Sequence, residues 1–322
     1  MPPHTEAATD FKPGLPLRMM KYARFLKKDL VRNKTIYLMS LAGLAYYILF
    51  KYVPMYGLTI AFKNFTPAKG IIGSPWVGFT HFELFFNSHY FWRILKNTLL
   101  INAYELIFAF PAPIILALLL NEVKSTFFKR SVQTVTYLPH FISTVVICGM
   151  IVDFTSKSGL ISSIVEAFGG ERSNLLLNPD YFRTIFVGSG IWQGIGWGSI
   201  IYLAALSAID PQLYDAATID GANRWKQVLH VTLPGIKPTI VIMLILNIGG
   251  IMNVGFEKII LLYNPMTYET ADVISSFVYR KGILEANYSY STAVGMFNSV
   301  INFMMLVLAN RISRKFNETS LW

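Results

Sequence analysis

The chain has 322 residues, 53% hydrophobic and only 14% charged, with a formal net charge of +10. Soluble domains carry roughly 25% charged residues, so this composition excludes an ordinary soluble domain and points to a bilayer. A single cysteine, Cys148, excludes an internal disulfide and a cysteine-cluster metal site, and the five scattered histidines supply no metal-ligand spacing.

In chain order, residues 1–34 form a mostly polar arm with eight Lys and Arg residues. The arm reads as a topology determinant rather than a nucleic-acid patch. An apolar window, Thr35 to Phe50, follows, extendable by Lys51 snorkelling and by "YVPMYGL". The polar residues before it place it too far in for a cleaved signal peptide, so it reads as a retained span. Further windows run Asn97 to Asn121, interrupted only by Glu105, then Ser131 to Val152, Thr184 to Ile209, Pro238 to Phe256 and Ala286 to Asn310. About 20 apolar residues cross a bilayer as a helix. The expected fold is therefore an all-α integral membrane protein with six transmembrane helices, a six-span domain over 35–310, and a C-terminal tail over 311–322.

With six spans, both termini lie on one side, which holds 17 of the 28 basic residues. The positive-inside rule makes that side cytoplasmic. The opposite side has 11 basic and 9 acidic residues, a balance too even to set the charge of a substrate.

Between the fourth and fifth windows lies "PQLYDAATIDGANRWKQVLHVTLP", residues 211–234, an amphipathic segment on the cytoplasmic side. Asp210 followed by Pro211 reads as an N-cap and first helical position. Leu213, Ala216, Ala217 and Asp220 follow at helical spacing, Gly221 permits a bend, and Trp225, Val228 and Leu229 make a second apolar stripe. The reading is two short helices joined by a hinge and closed by Pro234. Asp210, Asp215 and Asp220 are poor residues to hold against anionic headgroups, so the ridge fits a groove on a cytoplasmic protein better than a lipid surface.

The segment resembles the EAA loop of ATP-binding-cassette importer permeases, matching at Ala216, Ala217, Asp220, Gly221, Ala222, Trp225, Leu233 and Pro234. It departs at Asp215, where the family usually has glutamate. "KYVPMYGLTIAFKNF" and "NTLLINAYELIFAFPAPIILALLLNEV" resemble the oligosaccharide and polysaccharide branch, including alginate-type importers. The resemblance implies a bacterial inner-membrane permease with a coupling helix seated on an ATPase. It also implies a second homologous permease, two ATPase subunits that bind ATP and Mg, and an extracytoplasmic solute-binding protein. No cofactor is expected on this chain, which has no G-x-x-x-x-G-K-[ST] phosphate loop.

Candidate pathway residues are the polar and aromatic groups at membrane depth, each of which needs a protein or water partner. In the fourth window Gly188, Gly190, Gly194, Gly196 and Gly198 allow close helix approach, while Trp192, Gln193 and Trp197 offer indole faces and an amide to a sugar. Glu105 fits either a structural hydrogen bond or a pathway role. Asn247 and Asn253 flank "IGGIM", where Gly249 and Gly250 can loosen the fifth helix. Asn298 and Asn302 share one face of the last helix, suited to a cavity or to the companion subunit. The outer loops, 52–93, 155–183 and 263–285, suit docking of a binding protein, with no single residue standing out. Two other classes compete. A membrane-embedded transferase needs inward carboxylates that the sequence lacks, and an ion-coupled secondary transporter leaves the 210–234 segment unexplained.

Overall fold

The computed structural model describes residues 28–317. The basic arm before residue 28 and the end of the tail lie outside them. Among the described residues the regular structure is helical, joined by turns and irregular segments, and one isolated antiparallel bridge pairs Lys63 with Trp76. It divides into two compact units at Thr59 and Ile60.

The first unit contains most of α1, Lys34–Phe62, which has no buried residue in its most apolar window. The phenol of Tyr37 and the amide of Asn33 both donate to Asp29, at 2.6 and 2.8 Å, tying the start of the helix together. "YVPMYGL" does extend the first span, as expected.

The second unit holds the remaining long helices. They are α2 (Phe91–Glu122), α3 (Thr126–Tyr137), α4 (Thr144–Thr155), α5 (Leu160–Ala167), α6 (Pro179–Ser207), α7 (Pro211–Ile219) and α8 (Arg224–Gly249). After these come α9 (Phe256–Leu262), α10 (Ile274–Tyr279) and α11 (Tyr288–Asn317). Five helices are long and apolar enough to cross a membrane, or six when α6 is counted with the α7 segment bent from it by 70°.

Three spans differ from their sequence windows. The window Ser131 to Val152 is not one helix: α3 tightens into a 3-10 turn at Leu138–Phe141, and Ser143 caps a new helix through the Val146 amide. Pro139 lacks the amide that an unbroken helix needs. The third crossing is consequently the Thr144–Ala167 stretch. The fifth span begins at Arg224, well before Pro238, and stops at Gly249, so Pro234 lies inside a helix and does not close the preceding loop. The fourth span is N-capped by Asn178 with Pro179 in the first turn, ahead of the window that began at Thr184.

Proline also explains how three of these helices stay continuous. π-turns at Ile48–Tyr52, Glu105–Ala109 and Val228–Thr232 each end two residues before a proline, namely Pro54, Pro111 and Pro234. A proline ring collides with the carbonyl four residues earlier and provides no amide for it. That carbonyl falls in the middle of each π-turn, where the wider ladder relieves the collision.

α6 is the central strut. Phe182, Phe186 and Val187 pack with Ile147, Cys148 and Ile151 of α4, while Tyr202 and Leu206 pack with Ile114 and Ala117 of α2 and Ile236 of α8. Two of its glycines carry that packing. A Cβ on Gly196 would strike the Thr136 carbonyl of α3, and one on Gly198 would lie 3.0 Å from Pro113 of α2. Gly188 and Gly194 have nothing within 4 Å of that position, so only part of the glycine stripe is a helix contact.

Candidate functional site

The 210–234 segment is built from local capping. Asp210 accepts from the Gln212 amide at 2.9 Å, starting α7 as its sequence predicts. At the other end Gly221 has φ of +75°, the Gly221 amide donates to the Thr218 carbonyl at 3.0 Å, and the Ala222 amide donates to Ala217 at 2.9 Å. This paired pattern is the Schellman motif, so the spacing of Asp220, Gly221 and Ala222 encodes a helix stop with a left-handed residue at its centre. Asn223 then caps α8 through the Lys226 amide at 3.0 Å.

The turn is braced from both sides. Gln227 donates to the Thr218 hydroxyl at 2.9 Å, and the Tyr214 hydroxyl pairs with that of Thr232 at 3.0 Å. The second short helix expected at Trp225 is instead the first turn of α8, so α7 is joined to a membrane-spanning rod through one short corner, residues 220–223. Leu233 and Pro234 follow the π-turn inside that rod.

The apolar ridge faces away from the chain. Leu213, Ile219 and Trp225 are 53%, 86% and 77% exposed, and Asp215, Ala216, Asp220 and Gly221 are exposed beside them, with Ala217 and Ala222 half-buried. Trp225 also lines a cavity of about 420 Å³ with Ile115, Leu118, Leu119 and Val228, rimmed by an Arg224–Glu122 pair at 3.8 Å.

The pathway candidates separate into groups. Asn253, Asn298 and Asn302 meet at the break after α8: Asn302 accepts from the Met252 amide at 2.9 Å, and the Asn298 amide donates to Asn253 at 3.0 Å. The interrupted backbone would otherwise present unsatisfied groups at membrane depth, which lipid cannot meet. Asn247 stands apart, exposed, while its carbonyl accepts from the Gly250 amide in the turn that ends α8. Trp197 stacks on His140 with ring centroids 4.5 Å apart and planes 4° apart, so one indole face is already covered. Trp192 is 44% exposed, and Gln193 is half-buried on the adjoining face. Glu105 lies half-buried in its π-turn.

The segment 263–285 contains a feature that sequence reasoning missed. Asp272 is fully buried, and its carboxylate accepts two bonds from Arg280 at 2.7 and 3.1 Å, one from Arg93 at 3.3 Å and one from Ser276 at 2.9 Å. Burial by itself would lower the affinity of the Arg280 guanidinium for its proton, but the hydrogen bonds and charge of Asp272 outweigh it and raise its pKa. Asn97 ties the same corner to α2 and α6, donating to the Asp272 and Glu269 carbonyls and accepting from Arg183 at 2.9 Å. Asp272 stands eight residues from Arg280 and 179 from Arg93, separations with no helical signature, so no local pattern marks it.

Residues 109–318 match the family described as binding-protein-dependent transport system inner membrane component. The chain is 47% identical to the polygalacturonan/rhamnogalacturonan transport system permease protein YteP of Bacillus subtilis (strain 168), over 94% of each chain. It is 45% identical to protein LplB of the same organism, over 91% of this chain and 92% of that one. Among solved structures, it is similar to a chain in the crystal structure of a bacterial ABC transporter involved in the import of the acidic polysaccharide alginate. There the TM-score is 0.85 and the identity 44%, covering 91% of this chain and 99% of that one. A second crystal structure, of the alginate transporter in complex with an alginate pentasaccharide-bound periplasmic protein, matches with the same TM-score at 43% identity. The corner at Gly221, the exposed ridge beside it, the broken fifth span and these likenesses agree, and the chain belongs to the binding-protein-dependent transport system inner membrane component family, the permeases of type I ATP-binding-cassette importers.

Proposed function

We propose that this permease forms part of the pathway by which an acidic oligosaccharide enters the cell, and that α7 is the joint through which ATP hydrolysis drives it. The observation that carries the reading is the exposed ridge of Leu213, Ile219 and Trp225 on a corner held rigidly to α8. Such a ridge suits a cleft on an ATPase, because a few apolar anchors on a preorganised helix bind with little loss of conformational freedom. The substrate class rests on the relatives: one is named for polygalacturonan and rhamnogalacturonan, and a solved neighbour imports alginate.

The assembly consists of this chain, a second homologous permease, two ATPase subunits that hold ATP and Mg, and an extracytoplasmic solute-binding protein. Both termini and α7 lie on the cytoplasmic side of the inner membrane. Closure of the two ATPases moves α7, and the corner passes the displacement to α8 as a rigid-body shift between inward-open and outward-open states. This chain moves and binds, while the hydrolytic chemistry belongs to its partners.

The test is ATPase activity of the reconstituted assembly with Gly221→Asp or Ala217→Asp in this subunit, with assembly checked by gel filtration. A side chain at Gly221 must adopt a left-handed conformation that costs about 1–2 kcal/mol, and a carboxylate at Ala217 enters the half-buried side of α7. We expect loss of binding-protein-stimulated hydrolysis or of ATPase association. Full stimulation and assembly with both substitutions would refute the coupling role.

A further inference from the structure

A buried cation sits among the helices of the second unit with no carboxylate in contact. Lys258, on α9, is 9% exposed, and its ammonium donates to the Phe186 carbonyl of α6 at 2.8 Å and lies 4.8 Å from the centre of the Phe186 ring. A Cβ on Gly190 would lie 3.4 Å from that ammonium, so the glycine leaves room for it. The seat is a weak one for a charge. The Phe186 carbonyl is neutral and also accepts from the Ser189 hydroxyl at 3.0 Å, while an ammonium has three protons to place. A hydrogen bond to an ionised acceptor is roughly twice as strong. Glu257, next in the chain, is exposed.

The acidic group that faces this cation from the second span is Glu105. It stands fourteen residues from the start of α2 and seventeen from its end, near the middle of a membrane-spanning rod. Ile101 and Ala109, four residues to either side, both pack into the apolar cluster that contains Phe186, Cys148 and Ile259. Glu105 therefore occupies the face of α2 turned toward the elements that hold Lys258. The two groups attract each other across the cluster, yet among the described residues no salt bridge joins them. Opposite charges kept apart in an apolar interior are costly, and contact between them recovers part of that cost. Each also sits at a joint. Glu105 opens the π-turn Glu105–Ala109, and Lys258 follows the break between Gly249 and Phe256, so both can shift without unwinding a long helix.

We propose that Lys258 and Glu105 are the two halves of a charge latch between the broken fifth span and the second span. In the state described here the latch is open, with the ammonium parked on the Phe186 carbonyl of α6. In the opposite state of the transport cycle α9 moves relative to α6, the ammonium leaves that carbonyl, and it pairs with Glu105. The inference rests on the reading of the chain as an ATP-driven permease that alternates between two states. It gives a reason for a lysine to be buried beside a neutral acceptor: a seat that holds the cation loosely lets it change partner.

The test uses the whole importer carrying Cys148→Ser, which removes the native thiol of this chain, together with Glu105→Cys and Lys258→Cys. Oxidative cross-linking with copper phenanthroline is followed by mass spectrometry in nucleotide-free samples and in samples trapped with ATP and vanadate. We expect the yield of the 105–258 cross-link to differ several-fold between the two states; equal yields, or no cross-link in either, would overturn the latch. Glu105→Gln and Lys258→Gln remove the charges and keep a donor for the Phe186 carbonyl, so they decide the matter where the cysteine pair does not assemble. Each should lower binding-protein-stimulated ATP hydrolysis several-fold, and the double variant should do no worse than the worse single one. Losses that multiply would show two charges acting independently and would also overturn the latch. An unmodified assembly that hydrolyses no ATP would discard the ATP-driven reading itself, whereas equal cross-linking in an assembly with stimulated hydrolysis discards the latch alone.

Discussion

Asp272 shows how much can depend on one side chain that no motif marks. Its carboxylate gathers Arg280, Arg93 and Ser276 at a corner where the 263–285 segment meets α2. Removing one partner of a buried ion pair leaves the other charge uncompensated, at a cost of about 3–5 kcal/mol, so Asp272→Ala should loosen the segment around α10 far more than an exposed substitution would. Hydrogen–deuterium exchange over residues 263–285 measures this: faster exchange confined to that segment is the expected result, and unchanged protection would mean the corner is held by apolar packing. Gly221 stands at the opposite extreme of legibility. Its left-handed conformation follows from the Asp-Gly-Ala spacing alone, because the Schellman stop is a local hydrogen-bond pattern that needs no distant partner.

Among the elements, the glycines of α6 separate packing from mere composition. Gly196 is where α3 crosses, with the Thr136 carbonyl in the place a methyl would take, whereas Gly194 has open space there. Gly196→Ala should therefore force the two helices apart and lower the melting temperature in detergent, at the roughly 1–3 kcal/mol typical of overpacking. Gly194→Ala should leave it unchanged or slightly raised. Equal effects from the two would show that the glycines act through helix propensity and not through the crossing. The sequence presents five alike residues, and only the position of α3 tells them apart. The same holds for the third span. An uncharged window from Ser131 to Val152 has the length of a crossing, yet Pro139 and the Ser143 cap break it, and the crossing is carried by Thr144–Ala167. Hydropathy counts residues that lipid would accept, and it does not register where the backbone can no longer satisfy its own hydrogen bonds.

At the scale of the molecule, the orientation drawn from charge is open to direct measurement. Cys148 is buried, so single cysteines placed at exposed sites report their side of the membrane with an impermeant thiol reagent. Thr218→Cys on α7 should react only from the cytoplasmic face, and Asn287→Cys, exposed just before α11, only from the outer face. Reversed labelling would invert the topology and remove α7 from reach of any ATPase. The sequence by itself determined the class of fold, the approximate spans and the helix stop at Gly221, because each depends on composition or on hydrogen bonds between near neighbours. What only the tertiary structure decided is which polar groups serve one another: that Asn302 and Asn298 meet the broken end of the fifth span, that Trp197 already lies against His140, and that Asp272 anchors three elements. Those pairings join residues tens to hundreds of positions apart, and in a helical membrane protein the face each helix turns to its neighbour is set by packing, which no single helix's sequence contains.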